Sequence, residues 1–223
     1  MMLTYPTILL DFDGTLVDSA PGIVSAIAHT LREMGEPVPE MADLLRWVGP
    51  PLPESFAIRG GLAPERVDDA IRRYRTHYLD VGAYDAKIFD GMGEFLLGAR
   101  KAGAHLAIAT SKPHTPATVM LEHFTLTRFF DVIACAADDE SRGAKALVIE
   151  DALAGLHNKG IPTDNVIMVG DRIHDVEGAR VHGIDTILVR WGYGGPTERA
   201  EAHRVVDTPR ELHEALGVPV GHR

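Results

Sequence analysis

Apolar positions divide the chain into stretches with different periods. Near the start, Ile8-Leu9-Leu10 is a short unbroken apolar run behind Tyr5-Pro6-Thr7, and such a run bounded by turn residues predicts a strand buried on both faces. From 18 to 86 the spacing becomes helical. Ile23, Ile27, Leu31 and Met34 recur at helical intervals, with Ser19 placed to cap the helix, Pro21 in its first turn and Gly35 ending it. Val67, Ile71, Tyr74 and Tyr78 repeat the pattern after Pro64, with Gly82 just past the end. Shorter helical pieces are expected near 41–47 and up to Gly60-Gly61, and nothing in this stretch reads as a strand.

After Asp90-Gly91 the two periods alternate. Helices are predicted over 92–102, 117–124, 145–156, 176–182 and 209–216, and strands over 105–109, 132–134, 166–169, 186–189 and 205–206. Regular alternation of this kind predicts an α/β fold, a doubly wound parallel sheet covered on both faces with polar groups gathered at the carboxyl ends of its strands. The helical stretch interrupts it directly after the first strand. The chain is therefore read as a core of 1–17 and 87–223 with a small helical cap domain over 18–86. Both connections of the insertion are expected above the strand ends, where it can serve as a lid.

Composition narrows the partners. At 223 residues the chain can bury one sizeable core plus a small accessory unit, and 24% charged with 45% hydrophobic residues is ordinary for a soluble globular protein. The formal net charge of -10 argues against a nucleic-acid surface, which depends on clustered Lys and Arg. An anionic substrate remains compatible, provided that its site brings local positive charge. Cys135 is the single cysteine, so no intrachain disulfide can form, and it reads as a buried inert thiol in a reducing compartment. The opening Met1-Met2-Leu3-Thr4-Tyr5 has no leader pattern and no run approaches a membrane span, so a cytoplasmic location without a membrane partner is expected.

The chemistry concentrates at strand ends. The first strand stops at Asp11-Phe12-Asp13-Gly14-Thr15, and strand alternation would turn Asp11 and Asp13 to one side with Phe12 facing the core. Two carboxylates crowded in a poorly solvated cleft repel by several kcal/mol unless a cation or a proton intervenes. The pair thus asks for a divalent metal, for acid–base chemistry, or for both. Thr110-Ser111 closes the second core strand, and Gly170-Asp171 closes the fourth, with Asp175 four residues later at a helix start where it can also act as an N-cap.

Asp11-Phe12-Asp13-Gly14-Thr15-Leu16-Val17-Asp18-Ser19 resembles the first motif of the haloacid dehalogenase-like hydrolases. Thr110-Ser111-Lys112-Pro113 and Gly170-Asp171-Arg172-Ile173-His174-Asp175 resemble the second and fourth. Together with Gly49-Pro50-Pro51-Leu52 and Trp191-Gly192-Tyr193-Gly194, they are similar to the branch of phosphoglycolate phosphatases and 5′-nucleotidases. The resemblance implies Asp11 as nucleophile, Asp13 as general acid/base, and Thr110 as a phosphate ligand with Gly14 and Ser111 beside it. It further implies Mg²⁺ held by Asp11, the backbone carbonyl of Asp13 and Asp171, with Asp175 behind them. The motif lysine is assigned to Lys145, at the opening of its helix, with Lys112 as the rival; only five lysines exist. The implied activity is hydrolysis of a small phosphate monoester through an aspartyl-phosphate.

Asp13 speaks against a dehalogenase, since halide leaves without a proton, and the absence of lysine from 18–86 excludes a cap Schiff base. A sugar-phosphate mutase and a non-catalytic phospho-accepting or binding module stay open as alternatives. One departure from the pattern, Ala134 to Arg142 without the usual glycine after the third strand, puts the reach of Lys145 in question. Substrate selection is assigned to the 48–53 loop and to Arg46, Arg59, Arg72, Arg73 and Arg75.

Overall fold

The computed structural model describes residues 3–139 and 141–220; Met1, Met2 and Glu140, which belong to segments read above, lie outside these. The chain forms two compact units, Met1–Asp18 with Ile88–Arg223, and Ser19–Lys87. The two-residue strands Val17–Asp18 (β2) and Lys87–Ile88 (β3) mark the places where the chain passes from one to the other.

The first unit is built on strands Thr7–Leu10 (β1), His105–Pro113 (β4), Val132–Ala136 (β5), Val166–Gly170 (β6), Asp185–Val189 (β7) and Arg204–Val206 (β8). They form one parallel sheet in the order β5-β4-β1-β6-β7-β8. β1 is central and its four residues are buried, which explains why it is apolar on consecutive positions rather than alternate ones. Chain order reverses at β1, so the crevice for a ligand is expected at its carboxyl end. Register fixes what stands there, because Leu10 pairs with Ile108 on one side and with Val169 on the other.

Helices Met92–Lys101 (α5), His114–His123 (α6), Lys145–Asn158 (α7) and Ile173–Val181 (α8) lie between the strands, and Pro209–Leu216 (α9) follows the last of them. α7 packs on β4, β5 and α8, and its Ile149, Ala152 and Leu156 share a core with Leu9, Ala107, Ala109, Met168 and Ala179. α5 packs against β4 and α9, and α9 against β8. The bounds of α9 coincide with the expected ones for a local reason. Thr208 accepts from the Glu211 amide at its start (3.2 Å), and Gly217 with φ 66° ends it.

The largest departures from the expected bounds are three. β4 runs on to Pro113, with a shift in its pairing to β5 between Thr110 and Pro113. α6 begins at His114, directly after that strand. α8 begins at Ile173 rather than 176, because the Asp175 carboxylate lies inside the first turn and binds the preceding amides.

The second unit is helical: Ala20–Glu33 (α1), Met41–Leu44 (α2), Leu52–Glu54 (α3) and Pro64–Asp80 (α4), with a π-helical turn over Ser55–Arg59 that apolar spacing did not reveal. Ser19 holds the N-cap place of α1, but its side chain makes no capping hydrogen bond and its backbone is helical rather than extended. Trp47, Phe56, Tyr74 and Tyr78 form the interior as a chain of ring contacts, with Tyr74 and Tyr78 stacked at 5.4 Å. The start of α1 passes so close to the chain after α4 that a Cβ on Gly22 would lie 1.9 Å from the Gly82 carbonyl oxygen.

That approach sets two effects against each other. Gly22→Ala gains up to about 1 kcal/mol of helix propensity, whereas overpacking costs roughly 1–3 kcal/mol, and more when backbone must move. The expected outcome is a net loss of about 2 kcal/mol in urea unfolding; a variant as stable as the parent would show that the approach is not tight.

Candidate active site

The site assembles at the carboxyl ends of β1, β4 and β6. Asp11 follows β1 directly, and its amide donates to the Val169 carbonyl (2.9 Å), carrying the pairing with β6 one step beyond the strand. Asp171 follows β6 in the same way, so adjacent parallel strands deliver two acids side by side. Asp11 is 8% exposed and Asp171 fully buried.

Asp175 joins them from the first turn of α8. Its Oδ2 accepts from the amides of Asp171 and Arg172 (both 3.0 Å), which ties the β6–α8 connection into a tight loop. A side chain on Gly170 would run into that carboxylate. Ligand oxygens of Asp11, Asp171 and Asp175 all lie within 4.8 Å of one another.

Lys145, the first residue of α7, is the cation among these acids. Its Nζ is 2.7 Å from Asp11 Oδ1 and 2.8 Å from Asp175 Oδ1, and it donates to the Ala109 carbonyl at 3.1 Å. The departure in the 134–142 loop does not shorten its reach. Its stem is packed on α8 at Gly178, where a Cβ would come within 2.8 Å of Lys145 Cγ. The side chain is therefore a buried structural cation rather than a solvated helix end.

Burial dominates the electrostatics. It pushes the Asp11 carboxyl up to about 6, with the Lys145 charge pulling down and the Asp175 charge pushing further up. Burial, followed by the charges of Asp175 and Asp11, holds Asp171 well above the usual carboxylate range. For Lys145, burial opposes the charge, but Asp11 and Asp175 outweigh it and the ammonium is held above its ordinary value.

Three buried carboxylates thus face one buried lysine. The imbalance leaves two negative charges to be met by protons or by a divalent cation. Asp171 Oδ1 is buried without a hydrogen-bond partner, which is the kind of orphaned acceptor that a cation would satisfy. The donor set is all oxygen, as Mg²⁺ or another hard divalent ion requires.

Asp171 is held by a glycine cradle. Its Oδ2 accepts from the Tyr193 amide at 2.6 Å. Cβ atoms on Gly14 and Gly192 would each come within 2.3 Å of the Asp171 side chain, and one on Gly194 within 2.0 Å of its carbonyl oxygen. Gly14 also has φ 79°, which only glycine adopts freely. The Trp191 indole donates to the Thr15 carbonyl (3.1 Å) and the Tyr193 hydroxyl to Asp18 (3.1 Å), fastening the 191–194 loop to the chain after β1. The Trp-Gly-Tyr-Gly stretch carried a family resemblance in the sequence but no assigned role; its two glycines around an aromatic residue after β7 were the signal for a close backbone approach.

Asp13 stands apart from the three-acid cluster. The strand ends at Leu10, so alternation does not extend through Asp13, and its carboxylate meets Lys112 Nζ at 3.2 Å from each oxygen. Lys112 and Lys145, read as rivals, each hold one of the two motif acids. Thr110 is buried and its Oγ1 accepts from the Lys112 amide (3.1 Å), while Ser111 is exposed. Cys135 is half-buried, and burial pushes its thiol up to about 11, which suits an inert side chain. In the helical unit, the exposed Arg46, Arg72 and Arg73 pair with Asp43, Asp69 and Glu33.

A six-stranded parallel sheet with acids at the ends of adjacent central strands defines a class, and comparison with known proteins agrees. Residues 8–189 match the family described as haloacid dehalogenase-like hydrolase, and the chain belongs to it. It is 44% identical over 215 residues to a protein named tyrosine-protein kinase PtkA from Mycobacterium tuberculosis, covering 95% of this chain and 72% of that one. A 5′-nucleotidase from Pseudomonas aeruginosa is 35% identical (88% and 87% covered), and a phosphoglycolate phosphatase from Agrobacterium fabrum 33% (95% and 92%). Among solved structures, a predicted phosphatase from Clostridium acetobutylicum superposes with TM-score 0.86 at 35% identity, covering 95% of this chain and 97% of that one. The chain is thus a hydrolase-family enzyme with phosphatase relatives, on the α/β core that its pattern implied.

The charge imbalance has a measurable consequence. Folded Asp11 keeps its proton to about pH 6 against 3.8 as its ordinary value, so the folded chain binds more protons in that window. This contribution to stability is full below pH 3.8 and is lost as the pH rises through about 6. Mg²⁺ must displace those protons, and should therefore raise Tm more at about pH 7.5 than at about pH 5. At about 100 times Kd the gain is about 2.7 kcal/mol, or roughly 5–10 °C for a chain of this size. Asp171→Asn should remove the shift; equal shifts at both pH values would contradict the site.

Proposed function

We propose that the chain is a Mg²⁺-dependent phosphatase acting on a small phosphate monoester, and that it works in the cytoplasm, as its single cysteine suits. The observation that carries this reading is the buried Asp11 carboxylate, paired with Lys145 and set beside Asp171 at the ends of adjacent strands. In this reading Asp11, Asp171 and the backbone carbonyl of Asp13 hold the cation, with Asp175 fixing Lys145 and the β6–α8 loop. A bound Mg²⁺ would supply positive charge to the transferring phosphoryl group and relieve the acids of their mutual repulsion.

The remaining steps belong to the chain's own residues. A carboxylate oxygen of Asp11 forms a bond to phosphorus while the bond from phosphorus to the ester oxygen breaks. Asp13, as the acid, gives its proton to the departing alkoxide. A water molecule then attacks phosphorus, Asp13 takes its proton, and the bond to Asp11 breaks to release phosphate and regenerate the carboxylate. Lys145, the Thr110 hydroxyl and amides around Gly14 and Ser111 are assigned to the phosphate oxygens. Uncatalysed monoester hydrolysis is slow enough to need accelerations of up to roughly 10²¹, so these contacts must act together. Selection of the ester is assigned to the helical insertion, which leaves the core directly after the loop carrying Asp13.

The likeness to a protein named as a tyrosine kinase supports a second reading, in which a phosphoryl group taken onto Asp11 passes to a tyrosine hydroxyl instead of water. One set of assays decides between them. Phosphate release is measured with and without Mg²⁺ on phosphoglycolate, nucleoside monophosphates and sugar phosphates, beside label transfer from ATP to a tyrosine peptide. Turnover of a monoester that needs Mg²⁺ supports the phosphatase; transfer to tyrosine without monoester turnover replaces it.

Asp11→Asn should lower turnover by about 10³-fold or more with the fold retained, since it removes the nucleophile of the covalent step. Retained activity would remove Asp11 as nucleophile. Lys145→Ala should cost more than Lys112→Ala on every ester, because it leaves Asp11 and Asp175 unpaired; the reverse order would transfer the phosphate contact to Lys112.

A further inference from the structure

Lys112 has a geometry that binding a phosphate does not explain. It follows Ile108 by four positions within β4, and Asp13 follows Leu10 by three, past the end of β1; Leu10 and Ile108 are register partners, so the two neighbouring strands bring Lys112 and Asp13 together. Their side chains are 6% and 21% exposed, and Lys112 Nζ lies at the same 3.2 Å from both oxygens of Asp13. An aspartate carboxylate turns readily about its last torsion, which is broad and two-fold. A cation shared equally between its oxygens removes that freedom. The lysine is itself stiffened at the root, since its amide donates to Thr110 Oγ1 and Thr110 and Lys112 are buried on either side of exposed Ser111.

The charge near Asp11 is already provided. Lys145 is fixed by Asp11, Asp175 and the Ala109 carbonyl. We infer that Lys112 is a positioning residue for the leaving-group step: it sets the plane of the Asp13 carboxylate and so aims the proton donor. The inference rests on the phosphatase reading above. Only the step in which the P–O ester bond breaks and the ester oxygen takes the Asp13 proton is concerned. Steps that bind the phosphate are left to Lys145 and Thr110.

The leaving group supplies the test. An ester that departs without needing a proton is indifferent to how Asp13 is aimed, whereas one that leaves poorly is not. Phenyl phosphate and p-nitrophenyl phosphate are alike in size and differ in that respect. Lys112→Met should lower kcat/KM for phenyl phosphate by about 100-fold, within the usual range for general acid catalysis, and for p-nitrophenyl phosphate by less than about 5-fold. On an Asp13→Asn background the same substitution should add no further selective loss. If Lys112→Met does not fold, as judged by its melting curve, Lys112→Gln carries the same comparison. Equal losses on both esters, or losses that lie wholly in KM, would make Lys112 a phosphate ligand and overturn the inference while leaving the phosphatase standing. A parent enzyme that turns over neither these two esters nor any ester of the panel above would overturn both.

Discussion

One lysine against three buried acids is the constraint on which the site depends. Lys145 is held above its ordinary value although burial opposes its charge, because Asp11 and Asp175 are within 2.8 Å. Truncating such a group leaves buried charges without a partner, at a cost of roughly 3–5 kcal/mol. The same lysine joins three elements: the end of β1 through Asp11, the end of β4 through the Ala109 carbonyl, and the first turn of α8 through Asp175. One buried side chain thus links two strand ends and a helix around it. Its stem packs so closely on Gly178 that no side chain fits there.

Charge alone would not keep Asp171 in place, since its neighbours repel it. The backbone does so. The 191–194 loop donates the Tyr193 amide to its carboxylate, and glycines at 14, 192 and 194 let main chain approach from several sides. This leaves Oδ1 buried and unpartnered, a state costing about 1–3 kcal/mol that is tolerable only if something else satisfies it. That orphaned acceptor and the excess negative charge around it have one origin, the burial of three acids against one lysine.

Much of the core was legible because its signals are local. β1 announces itself by three apolar residues in a row, and α9 by Thr208-Pro209 at one end and Gly217 at the other. Asp11, Asp171 and Asp175 were legible as acids at strand and helix ends. What was not legible depends on parts of the chain that are distant in sequence. Gly14 and Gly192 acquire their meaning only when the sheet order brings β7's loop beside that of β1. The crowding expected between Asp11 and Asp13 fails for a related reason, since the strand stops at Leu10 and each acid turns to a lysine from a different neighbour. The early start of α8 follows from Asp175 serving inside the first turn rather than at the cap.

The two motif acids differ in surroundings more than in type. Asp11 lies in a dry group of like charges beside the buried Lys145 ammonium. Asp13 is more exposed and has a cation of its own. That division suits a covalent first step and a proton-carrying partner, but it does not say which acceptor completes the reaction. Water and a tyrosine hydroxyl attack the same phosphorus with the same help, so a core of this kind serves hydrolysis and transfer alike. Likeness to phosphatases and to a protein named as a kinase is then no contradiction. The acceptor is decided by what reaches Asp11.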